Sequence, residues 1–112
     1  MRSRPERLAK EIQHTVADFL IRFAPEECRD IMLTVSRVEL TKDLKDARIF
    51  ISVYPPDEKV RKHCLKVMIA NKGRIKLEIG KKVIMRYVPK VKFIIDDSLD
   101  NVERVNTLLR DI

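Results

Sequence analysis

The sequence predicts an α+β fold in which helices cover one face of a three-stranded sheet and a further helix closes the chain. Two patterns predict this class: apolar residues recur at helical spacing in four segments and alternate along three shorter ones. Size is the third observation, because 112 residues, 45% of them hydrophobic, can form a sizeable core. We therefore expect one domain over 1–112, with a core at about 4–97 and a closing helix at about 98–110.

The first helix and the hairpin after it have clear boundary signals. Ser3 and Glu6 form a capping box, and Pro25 ends the helix, at Phe23 or Ala24. The next two apolar segments predict an antiparallel hairpin with one buried face. Within its first strand the alternating apolar residues shift from odd to even positions, so a β-bulge is expected near Ser36-Arg37. The pattern leaves open which hairpin strand neighbours the third strand.

The second half of the chain predicts two helices, a strand and the closing helix. Pro56 and Asp57 suit the opening of a helix that is followed by a break near Gly73. Residues 74–83 fit both strand and helix spacing, and we interpret them as a helix because a four-residue apolar repeat extends to Val83. A third strand at 91–95 follows a Val-Pro pair, and Ser98 is a suitable N-cap for the closing helix.

Basic residues are concentrated in one part of the chain. The net charge is +7, yet residues 57–92 contain twelve basic and three acidic residues, a local charge of +9. The remaining residues, twelve basic and fourteen acidic, sum to −2. Such segregation is typical of a protein that binds a polyanion. The alternative is a solvated helix face that keeps the protein soluble.

The other reactive side chains form no recognisable site: His14, His63, Cys28, Cys64, Asp96 and Asp97. The histidines suit exposed positions, the adjacent carboxylates suit a helix N-terminus, and a bridge between the cysteines stays open. The sequence contains neither a nucleotide-binding glycine loop nor a hydrolase motif. We expect no enzyme activity, cofactor or metal. Without a secretory leader or an apolar span, a cytoplasmic location is expected.

The strongest candidate site is the junction between the second and third helices. A glycine there lets the backbone turn or approach a phosphate closely, and helix starts bind anions. The alternative is a C-cap glycine that only joins two core helices. Predicted phosphate contacts are Lys72, Gly73, Arg74, Lys76, Lys81, Lys82 and Arg86. A weaker second patch on the hairpin, equally explained as solvated side chains, comprises Lys42, Lys45 and Arg48. Phe50 and Tyr54 suit either base stacking or packing under the closing helix.

The predicted element order resembles a type II KH domain, a class that clamps nucleic-acid backbone with a GXXG loop. This chain lacks GXXG and is similar instead to the KH-like family of bacterial ribosome-binding factor A, whose helices meet at an Ala-x-Gly kink. If Gly73 matches the family glycine, Asn71 takes the alanine position and Ala70 lies one residue earlier. Four segments resemble the family: 33–40 (LTVSRVEL), 41–53 (TKDLKDARIFISV), 73–80 (GRIKLEIG) and 88–98 (VPKVKFIIDDS).

The resemblance implies a non-enzymatic assembly factor that binds the small ribosomal subunit and its rRNA late in maturation. A monomer is expected when the protein is free. Two other hypotheses stay open. One is a general KH-like RNA-binding protein, and the other is a protein-interaction module in which the positive charge only maintains solubility.

Overall fold

A computed structural model describes residues 3–22, 28, 31–54 and 56–96. The elements are helix α1 (Arg4–Arg22), strands β1 (Met32–Leu40) and β2 (Asp46–Tyr54), helices α2 (Glu58–Ala70) and α3 (Lys72–Lys82), and strand β3 (Lys90–Ile95). This order confirms the predicted α+β class, including the helix assigned to 74–83. The predicted closing helix at 98–110 and the predicted end of α1 at Phe23 or Ala24 lie outside the described residues.

Helix α1 begins as its capping residue predicts. The Glu6 backbone N–H donates to Ser3 Oγ at 3.3 Å, and the Arg7 N–H donates to the Ser3 carbonyl at 3.0 Å. One side of the helix is buried against β1 and α3. Its buried apolar residues are Leu8, Ala9, Ile12, Val16, Phe19 and Leu20. The apolar stripe in the sequence therefore marks the face that packs on the core.

The sheet has the order β1-β2-β3, with β2 in the centre. Strands β1 and β2 are antiparallel, whereas β2 and β3 are parallel. The pairing of β2 with β3 begins at Asp46 and Lys90, beside a hydrogen bond from the Lys90 N–H to the Lys45 carbonyl at 2.8 Å. The neighbour of the third strand, which the sequence pattern left open, is thus the second strand of the hairpin.

The predicted β-bulge is confirmed in β1. Val35 pairs with Ile51 and Arg37 pairs with Phe50, so Ser36 is the additional residue. The Ser36 hydroxyl lies 3.2 Å from the Phe50 carbonyl oxygen and 2.7 Å from Asp96 Oδ2. The extra residue returns the later apolar side chains of β1 to the core side of the sheet.

The core lies between the sheet and the three helices. Strand β2 buries Ala47, Ile49, Ile51 and Val53 on one face, and these side chains meet apolar residues of α1, α2 and α3. Full burial of each large aliphatic side chain stabilises the fold by about 1.5–3 kcal/mol. All the described helices therefore pack on one face of the sheet, as predicted. None of them combines the length and the apolar character that crossing a membrane requires.

Candidate nucleic-acid interface

Helices α2 and α3 are separated by the single residue Asn71. Its φ of −98° and ψ of 7° lie in the bridge region of backbone space, which turn residues adopt. Its backbone N–H donates to the carbonyls of Val67 and Met68 at 3.1 Å, while its side-chain Nδ2 donates to the Val67 carbonyl at 2.8 Å. Its carbonyl accepts from the Ile75 N–H at 3.1 Å. Asn71 therefore ends α2 and begins α3, and its amide holds the junction in place of the alanine of the family pattern.

Gly73 lies inside α3, not between the helices, which corrects the expectation that it breaks the helical run. It does not adopt a positive φ, and a Cβ at this position would meet nothing within 4 Å. Neither the turn nor core packing therefore requires glycine here. The open space lies over the first turn of α3, which has no acidic residue and no side-chain cap. Such a helix start offers its backbone N–H groups to an anion.

The basic residues of α3 divide between two faces, because residues four apart share one face of a helix. Lys72 and Lys76 lie together and are half-buried. Arg74 shares the other face with Glu78 and Lys82, and its guanidinium lies 5.6 Å from the centre of the Phe19 ring. Among the described residues, neither Lys72 nor Lys76 forms an ion pair, so both ammonium groups can meet phosphates beside Gly73.

Lys82 is part of an ion-pair network that joins α3 to α1. Its Nζ lies 3.2 Å from Asp18 Oδ2 and 3.9 Å from Glu78 Oε2. Arg22 adds contacts of 2.8 Å to Asp18 and 3.6 Å to Glu78. The hydrogen bond from Lys82, with the Arg22 charge, lowers the pKa of Asp18. Lys82 is thus partly neutralised, whereas its neighbour Lys81 is exposed and makes no ion pair within the described residues.

The second predicted patch lies on the turn between β1 and β2. The Asp43 carboxylate accepts from the Thr41 hydroxyl at 2.7 Å and from the Lys45 N–H at 3.1 Å. These hydrogen bonds lower the pKa of Asp43. Leu44 has a φ of 64°, a left-handed conformation that costs a residue with a side chain about 1–2 kcal/mol. The turn therefore has a defined, strained shape.

The three basic residues of this patch differ in their partners. Arg48 lies across the strand pair from Glu39, with 3.8 Å between its Nη1 and Glu39 Oε2. Lys42 and Lys45 are exposed and, in the described part of the chain, form no ion pair within 4 Å, although the Lys45 charge helps to lower the pKa of Asp43. Lys42 and Lys45 are consequently better placed than Arg48 to meet a polyanion.

Arg86 does not lie at the start of α3, although the sequence predicted it as a phosphate contact together with the residues there. It lies beyond the end of α3, where its guanidinium is 5.6 Å from the centre of the Tyr87 ring. Together with Lys45 it borders a cavity of about 630 Å³ between the hairpin turn and the α3–β3 connection. Arg4, Tyr87 and Lys90 also line this cavity, and no motif or spacing in the sequence marks them as site residues. The parallel pairing of β3 with β2 brings Tyr87 and Lys90 beside the hairpin turn, and the start of α1 adds Arg4.

The remaining candidates occupy structural positions. His14 and His63 are exposed, as predicted. Phe50 is buried under the Arg37 guanidinium, 4.0 Å from the ring centre, and is not available for base stacking. Tyr54 is 64% exposed at the far end of β2. Within the described ranges, no group of three or more His, Cys, Asp or Glu side chains could hold a metal ion.

The two cysteines meet in the core. Cys28 Sγ and Cys64 Sγ are 4.0 Å apart, and both side chains are buried. This distance is a thiol–thiol contact and not a covalent bond. Burial, and next the neighbouring Cys28, raises the pKa of the Cys64 thiol to about 12. Such a thiol is protonated at neutral pH, so its contribution here is to packing.

Comparisons with known proteins identify the family. The sequence profile of ribosome-binding factor A matches residues 4–109. The chain belongs to this family. A ribosome-binding factor A from Desulforamulus reducens is 38% identical over 112 residues, which cover all of this chain and 92% of the relative. The assignment confirms the family resemblance of the four sequence segments, and the helix–strand–strand–helix–helix–strand order confirms the KH-like type II fold.

Solved structures share this fold. The crystal structure of ribosome-binding factor A from Thermus thermophilus superimposes with a TM-score of 0.68 at 18% identity, covering 82% of this chain and 96% of that one. A homology model of the Thermus thermophilus factor, fitted into the cryo-EM map of a complex between 30S and ribosome-binding factor A, gives a TM-score of 0.67 at 18% identity. That comparison covers 83% of this chain and 96% of the other.

Proposed function

We propose that this protein is a non-enzymatic assembly factor that binds the small ribosomal subunit and its rRNA during late maturation, in the cytoplasm and as a monomer when free. The observation that carries the proposal is the start of α3. An uncapped helix N-terminus, an open backbone at Gly73 and the side chains of Lys72 and Lys76 converge there. Family membership supports the small subunit as the particle that presents the phosphates.

The choice of rRNA as the ligand follows from charge and shape. A basic helix start recognises phosphates through backbone N–H groups and ammonium groups, without reading base sequence. The buried Phe50 removes one of the two candidate stacking residues of the sheet. Recognition of folded rRNA in a ribonucleoprotein particle therefore suits this surface better than readout of a single strand. The 30S complex of the Thermus thermophilus relative supports the same partner.

The first experiment is co-sedimentation with immature small subunits, mature small subunits and large subunits at several salt concentrations. We expect selective binding to small subunits that weakens steeply with salt, because binding to phosphates releases counterions. Changing Lys72, Arg74 and Lys76 together to Glu should abolish this binding. The matched control changes Lys10, Lys59 and Lys62 to Glu, exposed positions on α1 and α2, with the same change in net charge.

Substitution by glutamine, which removes charge without reversing it, measures how many phosphate contacts the α3 residues make. Replacing the same three α3 residues by Gln should lower the slope of log affinity against log salt by about 2 to 3, since each phosphate contact contributes about 0.7 to 0.9. Replacing the three control lysines by Gln should leave the slope almost unchanged.

Equal binding to every particle would contradict the proposal and indicate nonspecific electrostatic binding. Tight binding to naked single strands would favour a general RNA-binding protein, and binding unaffected by the Glu triple would favour a protein-interaction module.

A further inference from the structure

A cavity of about 630 Å³ lies where the β1–β2 turn meets the connection from α3 to β3. This volume falls within the range of about 300–1,000 Å³ typical of small-ligand sites. Its apolar wall consists of Leu44, Met85, Tyr87, Val88 and Pro89. Its basic rim consists of Arg4, Lys45, Arg86 and Lys90. The cavity therefore combines an apolar interior with a positively charged border.

The two sides of the cavity are held together by backbone hydrogen bonds. The Lys90 N–H donates to the Lys45 carbonyl at 2.8 Å, which ties the hairpin turn to the start of β3. Within the turn, the Leu44 N–H donates to the Thr41 carbonyl at 2.9 Å. The left-handed Leu44 is thereby fixed at the wall. Backbone hydrogen bonds thus fix the hairpin turn against the start of β3 at this cavity.

Charge favours an anionic ligand. The basic rim has four cationic side chains, whereas the lining contains two carboxylates, those of Asp43 and Asp46. Asp43 is already engaged by the hydroxyl and N–H donors of its own turn. The ligand must also have an apolar face, because a bare phosphate would gain nothing from the apolar wall.

Tyr87 indicates what that face is. Its side chain is 75% exposed at the cavity, and the Arg86 guanidinium lies 5.6 Å from its ring centre. Aromatic rings and guanidinium planes are the groups on which proteins stack unpaired bases of RNA. An apolar peptide could fill the wall, but it would leave the basic rim without a partner.

We propose that this cavity receives one unstacked nucleobase of rRNA, stacked on Tyr87, with the flanking phosphates on the basic rim. The inference rests on the proposed function, because the RNA is that of the small subunit. It also connects the hairpin patch, through Lys45, with the segment that follows α3, through Arg86. The interface then extends from the phosphate-binding start of α3 to a base-binding cavity.

The test compares how substitutions of two exposed side chains change the affinity for immature small subunits. Tyr87→Ala should weaken binding about 5- to 150-fold, the range expected for loss of one stacked base, while Tyr87→Phe should bind almost as tightly as the parent protein. Ile21→Ala removes another exposed large side chain, at the opposite end of α1 from Arg4, and should have no effect. Thermal unfolding of each variant verifies that the fold is intact.

Photo-crosslinking identifies the occupant. Protein with Tyr87→p-benzoylphenylalanine, bound to immature small subunits and irradiated, should crosslink to rRNA at one or a few nucleotides. Crosslinks only to a ribosomal protein would overturn the proposal, and so would equal affinities of Tyr87→Ala and Ile21→Ala. If the α3 Glu triple abolishes binding and Tyr87→Ala does not, the cavity proposal fails while the proposed function stands. If the Glu triple binds normally, the proposed phosphate surface fails. The cavity proposal is then tested by crosslinking alone, where a crosslink to rRNA supports it and a crosslink only to a ribosomal protein overturns it.

Discussion

At the scale of single residues, substitution of Gly73 can distinguish a role in folding from a role in binding. Because a Cβ there meets nothing within 4 Å and no positive φ is present, Gly73→Ala should leave the fold intact. Alanine should raise the free energy of unfolding by up to about 1 kcal/mol through its higher helix propensity. The same methyl group occupies the open space over the start of α3, so affinity for small subunits should fall.

The two measurements for Gly73→Ala are urea unfolding and subunit co-sedimentation. A stable protein with weakened binding would establish that phosphate approaches the backbone at this residue. Unchanged affinity would contradict that role and leave the side chains of Lys72 and Lys76 as the contact. The sequence predicted Gly73 as important but placed the helix break there, because a glycine after an amphipathic run is the usual stop signal. The hydrogen bonds of Asn71 could not be inferred from the pattern.

At the scale of elements, adjacent lysines on α3 have different environments. Lys82 contacts Asp18 of α1, whereas Lys81 is exposed. Lys82→Glu should therefore lower the midpoint of thermal unfolding, most clearly at low ionic strength, because it places a third carboxylate beside Asp18 and Glu78. Lys81→Glu should change that midpoint little but weaken subunit binding more. Equal effects of the two variants on both measurements would contradict this division.

Local sequence patterns predicted the helices and strands better than they predicted which residues contact one another in the fold. The parity change in β1 predicted the bulge, and the four-residue repeat correctly assigned α3, because both are features of consecutive residues. Closeness in the sequence predicts that Lys82 and Arg86 belong to one phosphate-binding surface. Packing of α1 on α3 neutralises Lys82, and parallel pairing of β3 with β2 carries Arg86 to the hairpin. These effects depend on long-range contacts that a single sequence does not specify.

At the scale of the whole molecule, the segregated charge is only partly available for binding. Acidic residues partly neutralise two of the candidate basic residues: Asp18 of α1 contacts Lys82 of α3, and Glu39 of β1 contacts Arg48 of β2. These pairs hold elements together and reduce the positive charge beside them. Among the described candidate residues, those without an ion pair include Lys72, Lys76 and Lys81 of α3 and Lys42 and Lys45 of the hairpin turn. The interface is thus smaller than the net charge of residues 57–92 indicates.

The buried thiols affect the stability of the whole fold through pH. Cys64 is fully buried beside Cys28, and burial raises its pKa from about 9 to about 12. Below pH 9 the thiol is protonated in both the folded and the unfolded chain, so its contribution to stability is fully present. Between these values the unfolded chain releases a proton that the folded chain retains. The free energy of unfolding therefore falls as pH rises from about 9 towards 12.

Comparison with Cys64→Ala isolates this effect from tyrosine and lysine side chains, which also titrate in the same range. The variant should be less stable at pH 7.5, because alanine leaves a small void between α2 and the sheet. Its stability should nevertheless decline less steeply than that of the parent between pH 9 and 11. Urea unfolding in the presence of a reductant measures both slopes. Parallel slopes would show that the Cys64 proton is not retained on folding, and that the core is more accessible to hydroxide than its packing implies.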